Sequence, residues 1–194
     1  MTTDKSSIED VKVIAEWPGD RLQSWKTPTR IAYCRENPKL SANAWGFRVD
    51  PRHKSYSWTK LLLDSTDSVG ENDGAFSDDE DVSKAIQLPP FRTAQGVCED
   101  FLREVYAHVA KLIQIQLTAA TFDELSMECW ITVPAVWSDE ARAATLEAVK
   151  NAGFVRKPSD EVFAISEPEA AAIATLDKFT KPGAVNVVKV ISLR

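Results

Sequence analysis

Apolar residues recur at three-and-four spacing through Val97, Cys98, Phe101, Leu102, Val105, Val109, Leu112 and Ile113, with polar residues between them. That period keeps one face of a helix apolar, so the spacing predicts a helix from about residue 96 to Leu117. Downstream the pattern changes. Residues 128–133, ECWITV, read as a buried strand, and Pro134, which has no N–H to give a ladder, should end it. A helix is then predicted over 138–152. Ser138 suits its N-cap, Asp139 and Glu140 suit the positive end of its dipole, and Gly153 stands where a left-handed closing residue is wanted.

Residues 161–165 read as the next strand, 167–178 as a helix, and 186–191 as the beginning of a further strand. At this second corner Ser166 and Glu169 have capping-box spacing, and Pro168 lies in the first turn, where its missing N–H does no harm. Glu167 is left over. It is an acid placed where the carboxyl end of a strand meets a helix, the usual site for ligands in an open α/β sheet. Strands alternating with helices favour an α/β class with helical cover. Trp130 and the Ala170-Ala171-Ala172 face are expected to be the firmest part of the core.

The first half is less regular. Val11, Val13 and Ala15, and then residues 30–33, read as two short strands, separated by the turn chemistry of Pro18-Gly19-Asp20 and Thr27-Pro28-Thr29. Three parts follow: 1–33 as the tail and strands of a core lobe, 34–95 as a smaller peripheral lobe, and 96–194 as the rest of the core lobe. The middle part contains Trp45-Gly46-Phe47, Tyr56-Ser57-Trp58 and an acidic stretch over 64–84. That stretch has too few apolar residues to offset its ordering entropy, so it reads as a solvated loop, and its spacing is not that of a calcium loop.

Composition narrows the classes. With 194 residues, 44% of them hydrophobic, the chain can bury one ordinary core, or one with a small lobe. Its net charge is −6, from 29 acidic and 23 basic side chains without a basic stripe, which argues against nucleic acid as a partner. No apolar run approaches the roughly 18 residues of a membrane span, and the N-terminus lacks the apolar block of a secretion signal. A cytoplasmic protein with no membrane partner is expected. Cys34, Cys98 and Cys129 form no C-x-x-C, and His53 and His108 are the only histidines, so free structural thiols are expected rather than a zinc site. Neither G-x-S-x-G nor H-E-x-x-H is present, which leaves a hydrolase without support.

Taken together, the two corners carry a resemblance. "ITVPAVWSDEARAATLEAVKNAGF", followed about a dozen residues later by "ISEPEAAAIATLDK", resembles the ATPase domain of the 70-kilodalton heat-shock chaperones, of the actin-like ATPase superfamily. Val136-Trp137 stands where the common form has two aromatics, and Ser166 replaces an asparagine, departures that look like the divergent chaperone-like branch of fungi. Lys26-Thr27-Pro28-Thr29-Arg30-Ile31-Ala32-Tyr33 is similar to the family's T-P-S-x-V-A-F strand, and Trp45-Gly46 to the segment after it. Val11-Lys12-Val13-Ile14 matches the strand after the family's first phosphate hairpin, and 186–188 the strand that enters the second.

The resemblance implies a partial actin-like (ribonuclease H-like) fold, with a mixed sheet, covering helices and a small peripheral lobe. It implies a catalytic lysine near Tyr56-Ser57-Trp58, for which Lys60 is the candidate and Thr59 fits the register about as well. Pro134, Arg142 and Glu167 would form the relay that reports nucleotide state to a substrate-binding domain. Glu167 would also lie near a magnesium-bound water, without direct metal ligation. ATP or ADP with magnesium, unfolded client proteins and co-chaperones are the implied cofactors and partners.

The family's two glycine-rich phosphate loops are not found. The seven glycines, Gly19, Gly46, Gly70, Gly74, Gly96, Gly153 and Gly183, form no cradle of backbone N–H groups. The chain thus resembles a piece of that ATPase region in which ATP binding and hydrolysis are impaired. The alternative is a catalytically inactive protein-interaction module of the same descent. Either way, open sheet edges should invite association.

Overall fold

The computed structural model describes residues 12–57, 62–64 and 87–179. The chain is a mixed α/β protein. Its strands are β1 (Arg30–Ala32), β2 (Ala44–Trp45), β3 (Tyr56–Ser57), β4 (Glu128–Val133) and β5 (Glu161–Ser166). Its α-helices are α1 (Ala94–Gln116), α2 (Ala119–Glu124), α3 (Asp139–Val149) and α4 (Glu167–Phe179).

Among the described residues the strands form two small sheets. One is antiparallel, in the order β2-β1-β3, and the other is the parallel pair β4-β5. Thus β1 is hydrogen-bonded to strands on the far side of residue 33, from the segment assigned to the peripheral lobe. The expected strand at Val11, Val13 and Ala15 is not formed over the described residues 12–15. Helix α1 holds the neighbouring chain instead. Trp17 lies edge-on to Trp45 at 6.4 Å and against the His108 ring at 5.6 Å, while His108 Nε2 donates to the Glu16 carbonyl at 2.6 Å. The expected strand at 186–191 lies outside the described residues.

Helix α1 is the central post of the structure. The Thr93 hydroxyl accepts from Gly96 N–H at 3.1 Å and starts it, two residues before the periodicity does. Val97 is buried against Ile31, Tyr33 and Tyr56, so α1 backs the three-stranded sheet. On its other side it packs on α3. Ala141, Ala148, Val149 and Ala152 are buried, and the run of small residues lets the two helices approach closely. Lys150–Phe154 widens into a π turn, and Gly153, at φ +103°, closes α3 as its position in the sequence predicts. Gly46 has a stricter requirement. At φ +56° a side chain would be strained, and its Cβ would stand 2.4 Å from Thr27 Oγ1.

Asp100, on the buried side of α1, ties three segments together. It accepts from Tyr33 Oη at 2.9 Å, Arg92 Nε at 2.8 Å and Arg103 Nη1 at 2.8 Å. Burial and the neighbouring Asp100 carboxylate hold the Tyr33 hydroxyl well above its ordinary pKa, so it stays a donor.

Strand β4 is less buried than its composition implies. Cys129, Ile131 and Val133 turn inward, while Glu128, Trp130 and Thr132 are exposed. Trp130 is 57% exposed, stacked at 4.6 Å on Phe163, and Ala170-Ala171-Ala172 are exposed or half-buried, so the expected firm core is not there. α1 and α3 lie together on the inward face of the sheet, and burial follows that face. Leu63, Val133, Trp137 and Ala141 form the core cluster.

Candidate functional site

Parallel pairing builds the site. β4 and β5 are in register from Glu128↔Glu161 to Val133↔Ser166, so both strands end on the same line. The next residue of each chain, Pro134 and Glu167, therefore falls at one sheet edge, and helices α3 and α4 both start there. Pro134 ends β4 by lacking a ladder donor. Trp137 N–H donates to the Pro134 carbonyl at 3.3 Å, closing a turn that buries Trp137 and delivers Ser138 to its N-cap position.

The two helix starts are closed by the chain's own groups. At α4, Ser166 N–H and Oγ donate to Glu169 Oε2 at 3.1 and 2.7 Å, and Glu169 N–H donates back to Ser166 Oγ at 3.3 Å. That is the capping box its spacing predicts. These Ser166 hydrogen bonds, aided by the charge of Arg142, hold the Glu169 carboxyl below its ordinary pKa.

At α3, Ala141 N–H donates to Ser138 Oγ at 3.2 Å, while Ser138 N–H and Oγ both donate to Asp64 Oδ1, at 3.0 and 2.8 Å. By sequence Asp64 belongs to the solvated acidic loop. The structure makes it instead an anchor, beside buried Leu63, that fixes the turn at 62–64 to the start of α3. Only a contact across 74 residues creates this role, so no local signal could have shown it. Replacing Asp64 by alanine is expected to cost about 1 kcal/mol in urea unfolding. Ser138→Ala in that background should cost about a further 1 kcal/mol, because it also removes the acceptor that caps the Ala141 N–H.

Arg142 stands one turn into α3. Its Nη2 donates to the Ala135 carbonyl at 3.3 Å, laying the guanidinium back over the Pro134 turn, and its Nε is buried without a partner. Pro134, Arg142 and Glu167 are thus brought to one edge. The acidic stretch beyond Asp64, and Lys60 with its alternative Thr59, lie outside the described residues.

This edge does not fit a phosphate group. The amides of Ser138, Ala141, Ser166 and Glu169 at these helix starts are engaged by the chain's own side chains, Pro168 has none to offer, and Asp139, Glu140 and Glu167 add negative charge. No group of His, Cys, Asp and Glu among the described residues is arranged to hold a metal ion. Cys34, Cys98 and Cys129 form no disulfide and are half-buried, and burial raises the pKa of the Cys129 thiol. No helix of the described residues is long and apolar enough to cross a membrane. No protein-family model matches the chain.

Proposed function

We propose that this chain is related to the ATPase domain of the 70-kilodalton heat-shock chaperones, with an actin-like core, and that it carries that domain's signalling edge rather than its phosphate site. The observation that carries the reading is the parallel register that sets Pro134 beside Glu167, with Arg142 bonded to the Pro134-Ala135 turn. In this reading Arg142 braces the turn, and a shift of the Glu167 helix start is passed to α3 through it. Such coupling is useful in a chaperone, where nucleotide state must reach the site that holds unfolded clients. In a relative that has both phosphate loops, the positions of Lys60 and Glu167 would be the ones that face the nucleotide.

The chain by itself is then a poor ATPase, because carboxylates crowd its helix starts and its sequence holds no glycine-rich phosphate loop. Calorimetry with ATP and ADP in magnesium, on wild type and Glu167→Ala, tests this. Heats no larger than dilution in both proteins are the expected result. Micromolar binding that weakens in the variant would show instead that a nucleotide site exists without glycine loops. A non-catalytic interaction module is the second reading, favoured by the exposed Trp130, which stacks on the half-buried Phe163.

A further inference from the structure

In-register pairing of β4 with β5 sets Glu128 beside Glu161, Trp130 beside Phe163 and Thr132 beside Ile165. Successive side chains of a strand point to opposite faces, so these three pairs share one face of the sheet, while Val133 and Ala164 turn to the other and pack into the core. Both glutamates and Trp130 are exposed on the first face, and Phe163 and Ile165 are half-buried. Trp130 stacks on Phe163 at 4.6 Å with 25° between the ring planes, which steadies the indole and still leaves it more than half exposed. The charge here is unbalanced. Neighbouring strands lie about 4.8 Å apart, so two carboxylates in register stand within reach of one cation and repel each other without it. Neither glutamate makes an ion pair among the described residues. Arg156 and Lys157, just before β5, are committed elsewhere: Arg156 to Asp160 and the Phe122 and Leu125 carbonyls, and Lys157 to the Asp123 and Glu124 carbonyls.

We propose that this face is a docking site for an arginine in a basic segment of another polypeptide. The guanidinium lies over the Trp130 ring and donates to Glu128 and Glu161, so one planar cation meets the aromatic face and both carboxylates. Charge complementarity selects this occupant. An apolar partner would cover Trp130 but leave two like charges facing each other in a drier setting, and a second copy of the chain docking through the same face would bring two more carboxylates to it. The site does not depend on the nucleotide reading, since none of its residues belongs to the Pro134-Arg142-Glu167 edge. It gives the interaction-module reading a surface and a partner chemistry.

The test uses the full chain and a blocked synthetic peptide, Gly-Ser-Gly-Arg-Gly-Ser-Gly, titrated at low salt and followed by NMR through the Trp130 indole N–H, whose signal is assigned by its loss in Trp130→Phe. The comparator carries citrulline, which keeps the shape of arginine without its charge. The arginine peptide should shift the signal with a millimolar dissociation constant, and the citrulline peptide should not saturate it. Glu128→Gln with Glu161→Gln should weaken binding by about fivefold or more, and Trp130→Ala, read on the β5 amides, by about threefold. Glu16→Gln with Glu147→Gln, which removes the same charge away from this face, should leave binding unchanged. Glu128→Lys with Glu161→Lys should instead bind a peptide with glutamate in place of arginine, a gain that an unfolded variant could not show. The proposal is overturned if the arginine peptide shifts nothing, if citrulline binds as tightly, or if the Glu16/Glu147 variant loses as much as the Glu128/Glu161 variant. A dimer that Trp130→Ala dissociates and the peptide does not would give the face to a second copy and overturn it too. Peptide binding left undiminished in the Glu128/Glu161 variant would overturn this site while an interaction module elsewhere on the chain still stood.

Discussion

Arg156→Ala is expected to lower stability by about 3–5 kcal/mol, the usual cost of stranding one member of a buried ion pair. The Asp160 side chain is 0% exposed and that of Arg156 is 16% exposed. Arg156 Nε and Nη2 reach the two carboxylate oxygens of Asp160 at 2.9 and 3.1 Å. The same guanidinium donates to the Phe122 and Leu125 carbonyls at 2.7 Å each, and lies 4.3 Å over the Phe122 ring. It therefore closes the C-terminal end of α2, helped by Lys157, whose Nζ donates to the Asp123 carbonyl at 2.8 Å. Removing it leaves the Asp160 charge buried and two helix-end carbonyls without their donor. Urea unfolding followed by far-ultraviolet circular dichroism gives the difference directly. A loss under 1 kcal/mol would mean that solvent replaces these contacts freely.

The pair also sets a pH dependence. Arg156, and then the Met127 and Arg156 amides, hold the Asp160 carboxyl well below its ordinary value of 3.8. A depressed carboxylate stabilises the fold fully above its unfolded pKa, and that contribution is lost as pH falls through the folded one. The gap between wild type and Asp160→Asn should therefore be constant near neutrality and narrow only below about pH 4.

Asp100→Ala should cost somewhat less, about 2–4 kcal/mol. The carboxylate is buried and satisfies Tyr33, Arg92 and Arg103 together. Both arginine side chains are nearly half exposed, so they regain water when Asp100 is lost, whereas the Tyr33 side chain is buried and its hydroxyl is stranded. Tyr33→Phe removes that donor and leaves the two arginine pairs in place. It should cost about 1 kcal/mol. The order of these effects is the informative quantity: equal losses would place the energy in the tyrosine hydrogen bond and none in the arginines.

Much of the second half was legible because its signals are local. The α1 stripe, Pro134 after β4, Ser138 and Gly153 around α3, and the Ser166-Glu169 box each act within a few residues, and each was found where the sequence put it. The first half was read less well. Val11, Val13 and Ala15 have strand character, but pairing needs a partner, and Trp17 is committed to Trp45 and His108. The short helix α2 was missed because Thr118-Ala119-Ala120-Thr121 is weakly patterned and its far end is held by Arg156 and Lys157 from beyond α3.

The sequence by itself therefore determined α1, β4, α3, β5 and α4 in order, and the α/β class, since helix periods, caps and proline breaks are written in neighbouring residues. Burial and the composition of the site were decided by tertiary structure. Trp130 is as hydrophobic as any core residue, yet α1 and α3 cover the opposite face of its strand, and it lies in solvent against Phe163. Asp64 belongs by composition to an acidic loop, yet packing carries it across 74 residues to the start of α3. Hydrophobicity and charge are properties of a residue, but what that residue meets is set by which surfaces close on each other, and no local pattern encodes it.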